Sequence, residues 1–301
     1  MIKAITVTNH LGFSHRMILS QFEEGGLLVS NVDGLGPVKA NVNMTNVASM
    51  DGAIFNSARM QTRNIVLTLI FQPCPTIEDA RHLTYKLFPV KKRVKIEVET
   101  DRHTVYTYGY VESNEPAIFS SSESAQISIL CPTSYFVDST EETVMFSSVN
   151  PNFEFPFWKN TNEADTLVLS EVNQEHSKTI VYEGTYNIGP LVTMHFLGSV
   201  GNLKLIHSEN DAVMSIDVSK IQTITGTAIS DADEIEISME KGNKYAVLTR
   251  QGVRYNIINA LSINSDWFTL DQGENTIIYE AESNPENVYV TVTYRTAYEG
   301  V

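Results

Sequence analysis

Two arginines set the first chemical question. In ASMDGAIFNSARMQTRNIVLTLIF, residues 48–71, an Asp51-Gly52 turn leads to Arg59 and Arg63 and then to an uncharged apolar run. Guanidinium groups beside a small-residue turn suit a phosphate or a carboxylate. The glycines do not complete such a site, because Gly34-Leu35-Gly36 is not G-x-G-x-x-G and no Gly-Lys-Ser/Thr follows it. There is no G-x-S-x-G elbow, and Cys74 and Cys131 have no histidine partner in a known signature. The reading that remains is structural. Asp51-Gly52 turns the chain, Arg59 and Arg63 mark its return, and NIVLTLIF enters a core or a subunit seam.

Four other groups of residues could carry chemistry. Asp231, Asp233 and Glu234 crowd one turn and could hold calcium, but the rest of an EF-hand loop is missing, so a solvated turn before a strand is expected. The seven histidines are scattered, with no H-x-x-x-H or H-x-H pair, and no zinc or other cofactor is expected. With only two cysteines there is no disulfide framework, and buried free thiols are expected. Tyr255, Trp267 and Phe268 offer aromatic faces for a sugar ring, although the alternation in WFTL turns one of the two adjacent aromatics toward the core.

The elements that must position these residues are mostly strands. RVKIEVET (93–100) alternates Val94, Ile96 and Val98 with charges; HTVYTYGYVES follows after Asp101-Arg102, which predicts a tight hairpin. AQISILCP (125–132) has Ala125, Ile127, Ile129 and Cys131 on one face. TIEDARHLTYKLFP predicts the one convincing helix, with Thr76 as cap, Asp79 completing a capping box, Lys86 in the last turn and Pro89 as stop. The second half has no comparable helix. Strands are expected at 179–184, 191–196, 203–208, 212–219, 234–240, 244–250, 267–282 and 287–301, which is an antiparallel sandwich pattern.

Charge divides the chain unevenly. Residues 1–135 carry 12 Lys/Arg and 12 Asp/Glu, whereas residues 136–301 carry 9 and 24, so the second half holds all of the net −15. Neither half has a basic face for nucleic acid. The neutral half suits contact with copies of itself, since strongly charged surfaces repel. No run approaches the roughly 18 apolar residues that span a bilayer, and no signal peptide is expected from MIKAITVTNHLGFSHRM.

The order of features resembles the distal tail (Dit) proteins of siphoviruses. The resemblance rests on Gly34-Leu35-Gly36-Pro37, the Asp51-Gly52 turn, Arg59 and Arg63 before Ile65, Leu67 and Leu69, the single helix, Tyr108-Gly109-Tyr110, and QISILCPTSYF (126–136). Thr133-Ser134 stand where the family commonly has Asp-Pro. In the second half it rests on FEFPF (153–157), YNIGPLVTMHFLGSVGNLKL (186–205), WFTLDQGENTIIY (267–279) and TYRTAYEGV (293–301).

The resemblance implies a mainly β chain. Residues 1–135 would form a ring-building β-sandwich with one helix and a protruding hairpin, 136–162 a linker, and 163–301 a galectin-like antiparallel β-sandwich. It further implies a non-enzymatic baseplate hub at the virion tail tip, assembled in the bacterial host cytoplasm. Six copies would form a ring joining the tail tube protein to the tail-fibre or tail-associated lysin protein. Residues 38–71 would form the gripping hairpin and first core strand, with Asp51, Gly52, Arg59 and Arg63 at the subunit interface. The alternative is a carbohydrate-binding adsorption module for a cell-wall saccharide, with Tyr255 and Trp267 as stacking residues.

Overall fold

The computed structural model describes residues 1–19, 26–48, 51–119, 122–151 and 170–301. The chain divides into two compact units, Met1–Thr140 with Ala297–Val301, and Glu141–Thr296. The last five residues thus rejoin the first unit, where a single closing strand over 287–301 was expected. Part of the expected linker is regular structure, and the FEFPF segment lies outside the described residues.

The first unit is built from β1 (Ile2–Thr8), β2 (Ser14–Ile18), β3 (Leu27–Asp33), β4 (Ala40–Asn46), β5 (Ala53–Met60), β6 (Arg63–Phe71), α1 (Ile77–Leu87), β7 (Arg93–Thr100), β8 (Thr104–Ala117), β9 (Ser124–Cys131) and β10 (Phe136–Asp138). Its main sheet runs β2-β1-β7-β8-β9-β6-β3, all antiparallel, with β10 joining β8. Alternation decides which side is inside. Ile65, Leu67, Leu69 and Phe71 on β6 meet Val94, Ile96 and Val98 on β7 and Ile127 and Ile129 on β9 in one buried cluster. Helix α1 closes that cluster with Ala80 and Leu87. Both halves of the expected capping box are present: Thr76 Oγ1 accepts from Asp79 N at 3.1 Å, and Asp79 Oδ2 accepts from Thr76 N at 3.2 Å.

Strands β4 and β5 pair only with each other and form a separate two-stranded ribbon between β3 and β6. This is the hairpin expected from residues 38–71.

The second unit contains β11 (Glu142–Met145), β12 (Ser147–Pro151), β13 (Ser170–Gln174), β14 (Ser177–Tyr182), β15 (Leu191–Phe196), β16 (Leu203–His207), β17 (Ala212–Ile216), α2 (Val218–Thr225), β18 (Glu234–Ser238), β19 (Tyr245–Arg250), β20 (Val253–Asn256), β21 (Gly273–Ala281) and β22 (Val288–Tyr294). A six-stranded sheet, β11-β22-β15-β18-β19-β20, and a four-stranded sheet, β14-β21-β16-β17, share one core. Val192, Met194, Ile235 and Leu248 enter it from one sheet, and Ile180, Leu205, Met214 and Ile277 from the other. The sandwich reading of this half holds.

Strands β13 and β20 and helix α2 lie outside the elements expected there. Residues 212–219 read as a single strand, but β17 stops at Ile216 because Asp217 caps α2, accepting from Ser219 N and Lys220 N at 3.0 and 3.3 Å. Gly226, at φ +81°, ends the helix. The closing strand β23 (Ala297–Tyr298) pairs with β10 in the first unit.

The Tyr-Gly-Tyr motif has a packing cause. Gly109 faces the core, and a Cβ there would lie 2.5 Å from Ile129 Cγ2 and 2.8 Å from Cys131 Sγ. Gly109→Ala is therefore expected to lower stability by about 1–3 kcal/mol through overpacking. Gly36→Ala, whose Cβ would meet nothing within 4 Å, should stay within about 0.5 kcal/mol. Urea unfolding of the two variants checks the contrast.

Candidate functional site

The β4–β5 ribbon is the part of the first unit least explained by its own fold. Its register pairs Ala40 with Met60, Val42 with Ala58 and Met44 with Phe55, which sets these residues along one face. The other face carries Asn41, Asn43, Thr45, Ser57 and Arg59, with Ile54 near the turn. That polar side is laced by hydrogen bonds: Asn43 donates to Ser57 Oγ at 3.1 Å, Asn56 to Thr45 Oγ1 at 2.6 Å, and Gln61 to Asn41 Oδ1 at 2.5 Å. Val42, Met44, Ile54 and Phe55 expose between 47% and 60% of their surfaces. An isolated two-stranded hairpin is marginal in water, and an open apolar ribbon marks an interaction surface.

The root of this arm is held by Arg63. Its parity on β6 is that of Ile65, Leu67 and Leu69, so the guanidinium points inward and is 0% exposed. It donates through Nη1 to the carbonyls of Gly34 and, at 2.7 Å, Gly36; through Nη2 it reaches the carbonyls of Ser134 at 2.8 Å and Glu299 at 2.5 Å. The guanidinium carbon sits 4.3 Å from the centroid of the Phe136 ring. Among the described residues no carboxylate balances this charge; carbonyl dipoles and an aromatic face do. Burial pulls its pKa below the ordinary arginine value, and a guanidinium stays charged regardless.

The same bonds join both ends of the arm. Gly34 and Gly36 precede β4, and Arg63 itself follows β5 by three positions. Gln61 N donates to Lys39 O across the base at 3.0 Å, and Val301 N donates to Leu35 O at 3.0 Å. Gly34 adopts φ +88°, and a Cβ there would lie 1.9 Å from Asn64 O, so no other residue fits the turn.

The residues expected at a subunit seam therefore separate. Arg63 is internal and unavailable to a neighbour, because four carbonyls of its own unit use its donors. Arg59 is exposed and makes no ion pair among the described residues; it lines an open cleft of about 430 Å³ with Met60, Gln61, Thr62, Pro132 and Ser134. Asp51 and Gly52 lie exposed at the turn, Gly52 at φ +93°. The signal that distinguishes the arginines was in the sequence: Arg63 shares the parity of the apolar run.

Other candidates resolve as structure. Asp233 is buried and held by Arg250, whose Nε reaches Asp233 Oδ1 at 2.8 Å and whose Nη2 reaches Oδ2 at 2.5 Å, while Ser230 N donates to Oδ2 at 2.9 Å. Glu234 lies 3.0 Å from His195 Nδ1. Asp233, expected in a solvated turn, is instead buried and paired with Arg250. Tyr255 and Trp267 are partly buried against the core, Lys244 Nζ stands 5.3 Å from the Trp267 ring centre, and Phe268 is buried against His207. The three aromatics do not form an open platform. Cys131 is buried and Cys74 exposed, and the two are not joined in a disulfide, so the expectation of two buried thiols holds for one.

Residues 183–298 match the family model described as siphovirus-type tail component, C-terminal domain. The fold of the chain is similar to that of the SPP1 phage Dit protein, described as a paradigm of hub adsorption apparatus in phages infecting Gram-positive hosts. That structure matches with a TM-score of 0.64 and 14% identity over 98% of this chain and 99% of the other. Two structures of the phage p2 baseplate in its activated conformation, with strontium and with calcium, match at TM-scores of 0.45 and 0.46, each with 9% identity. They cover 97% of this chain, and 97% and 98% of theirs. No curated protein matches the chain.

Two outcomes follow for this site. Arg63→Met leaves four part-buried carbonyls without their donor and should cost roughly 3 kcal/mol in chemical unfolding, whereas Arg59→Ala should stay within about 0.5 kcal/mol. Burial pushes the Cys131 thiol up to about 11 against the opposing pull of Arg63 and Thr107. One thiol, Cys74, should therefore react with Ellman's reagent at pH 8 in the native protein, and both after denaturation.

Proposed function

We propose that the chain is a distal tail protein, a non-catalytic hub at the virion tail tip. About six copies form a ring through their first units, and the ring joins the tail tube protein to the tail-fibre or tail-associated lysin protein. The second unit is read as galectin-like. The observation that carries the proposal is the β4–β5 arm: an apolar ribbon, rigidly rooted by Arg63, on a half of the chain with balanced charge. A ring contact is heterologous, one patch meeting a different one, and an arm projecting from each copy suits that geometry. The tail component domain at 183–298 and the fold likeness to SPP1 Dit support the same assignment.

The excess of acidic residues in the second half keeps neighbouring outer units apart and soluble. Saccharide binding through Tyr255 and Trp267 draws no support from their packing, since both rings lean on the core.

Light scattering of the full chain is expected to give a particle about six times the monomer mass. Replacing residues 41–59 by a two-glycine turn should leave the unfolding transition within about 1 kcal/mol, because the removed residues bury little, but yield a monomer. An arm-deleted protein that still assembles contradicts the assignment of the arm.

A further inference from the structure

The turn of the arm carries a dipeptide with a chemistry of its own. Asp-Gly occurs twice in the chain, at Asp33-Gly34 and at Asp51-Gly52. In such a pair the backbone nitrogen of the glycine can attack the aspartate side chain, because glycine has no Cβ to crowd the approach. A fold suppresses that attack by bonding the carboxyl or by fixing the peptide so that it cannot rotate. The two pairs differ in both respects.

At Asp51 neither restraint is present. Asp51 and Gly52 are exposed and lie beyond Asn46 and Ala53, the last paired residues of the arm. Among the described residues no hydrogen bond or ion pair holds the Asp51 carboxyl. Gly52 adopts φ +93°, and a Cβ there would meet nothing within 4 Å, so the space around its backbone is open.

At Asp33 both restraints are present. Asp33 pairs with Val66 in the main sheet, and its Oδ2 accepts from Asn31 Nδ2 at 3.0 Å. Gly34 gives its carbonyl to Arg63 Nη1, and Asn64 O stands 1.9 Å from the place a Cβ on Gly34 would take. The peptide between Asp33 and Gly34 therefore cannot turn without breaking the anchor of the arm.

We propose that Asp51-Gly52 is a site of spontaneous backbone isomerisation, where the aspartyl residue converts through a cyclic imide to isoaspartate, and that the fold spares Asp33-Gly34. The steps balance with water alone. The Gly52 nitrogen gives up its proton and bonds to Cγ of the protonated Asp51 carboxyl; the Cγ–OH bond breaks and one water leaves. Water then adds to either carbonyl of the imide. Addition at Cγ, with cleavage of the new N–Cγ bond, restores aspartate. Addition at the α-carbonyl cleaves the original peptide bond, leaving the chain running through Cγ and the α-carboxylate as the side group. Composition and net charge are unchanged, and the main chain gains one carbon at that point. An exposed loop tip tolerates such a change without loss of the fold. The end of the arm thus changes shape with time while its root does not.

The test incubates the full chain in water enriched in heavy oxygen, at about 37 °C and about pH 6.5, native and in guanidinium chloride. Cleavage after lysine and arginine separates the two pairs, since residues 17–39 contain Asp33 and residues 40–59 contain Asp51. Uptake of one heavy oxygen, located by fragmentation in a mass spectrometer, marks each passage through the imide. The incubation runs until the denatured chain carries label at both pairs. In the native protein Asp51 is then expected to carry about ten times the label of Asp33 or more, part of it as isoaspartate. Equal label at the two pairs in the native protein, or none at Asp51, overturns the proposal.

Discussion

A buried guanidinium is an expensive group to keep, and this fold keeps one, with no carboxylate partner among the described residues, where several segments of its first unit meet. Arg63 is compensated by four backbone carbonyls and one aromatic face, drawn from the 34–36 turn, Ser134, Glu299 and Phe136. Those segments are far apart in sequence and none of them makes a long strand. Removing the side chain would leave four acceptors without donors, so the bonds are mutually dependent. The outcome is that a loop, the start of β6, the Thr133-Ser134 segment and the chain's last residues are fixed as one body. Arginine suits this task better than lysine, because its planar fork addresses several carbonyls at once.

Where the anchored parts lie gives the arrangement its consequence. Both roots of the β4–β5 arm are within a few residues of Arg63 or of the carbonyls it holds, so the ribbon leaves the unit at a defined place although its own strands bury almost nothing. A flexible arm would lose more entropy on docking, and pre-organisation at the root reduces that cost. The uncovered side of the arm is a liability for an isolated chain and an asset for an assembling one. Under the proposed function the two are the same property seen before and after ring closure. The balanced charge of the first half lets copies approach, and the acidic excess of the second half discourages stacking beyond the ring.

Much of this was legible in the residues. Alternation located β7, β8 and β9 and an uncharged run located β6; Thr76, Asp79 and Lys86 announced α1; and the Asp51-Gly52 turn, with Arg59 and Arg63 on the return, announced the arm. The failures have physical causes. Helix α2 was hidden because Val213 and Ile216 continue a strand pattern until Asp217 caps the backbone, and an N-cap outweighs β-propensity at that point. The return of Ala297–Val301 to the first unit depends on Arg63 and Leu35, long-range partners that no local pattern encodes. Arg63 was grouped with Arg59 because charge was weighed before parity; its position two residues ahead of Ile65 on the inward side already separated them. Tyr255 and Trp267 were recognised as aromatic surface candidates, but their packing against the core depends on the sandwich as a whole.

The central claim is that the arm's apolar side is covered by another copy and by nothing in its own chain. Hydrogen–deuterium exchange of peptides spanning 40–60, followed across a dilution series, tests it directly. The account requires backbone amides of the arm to exchange at least tenfold more slowly in the assembled particle than in the dilute monomer, while those of β6 stay equally protected in both. Equal protection of the arm at all concentrations would contradict it.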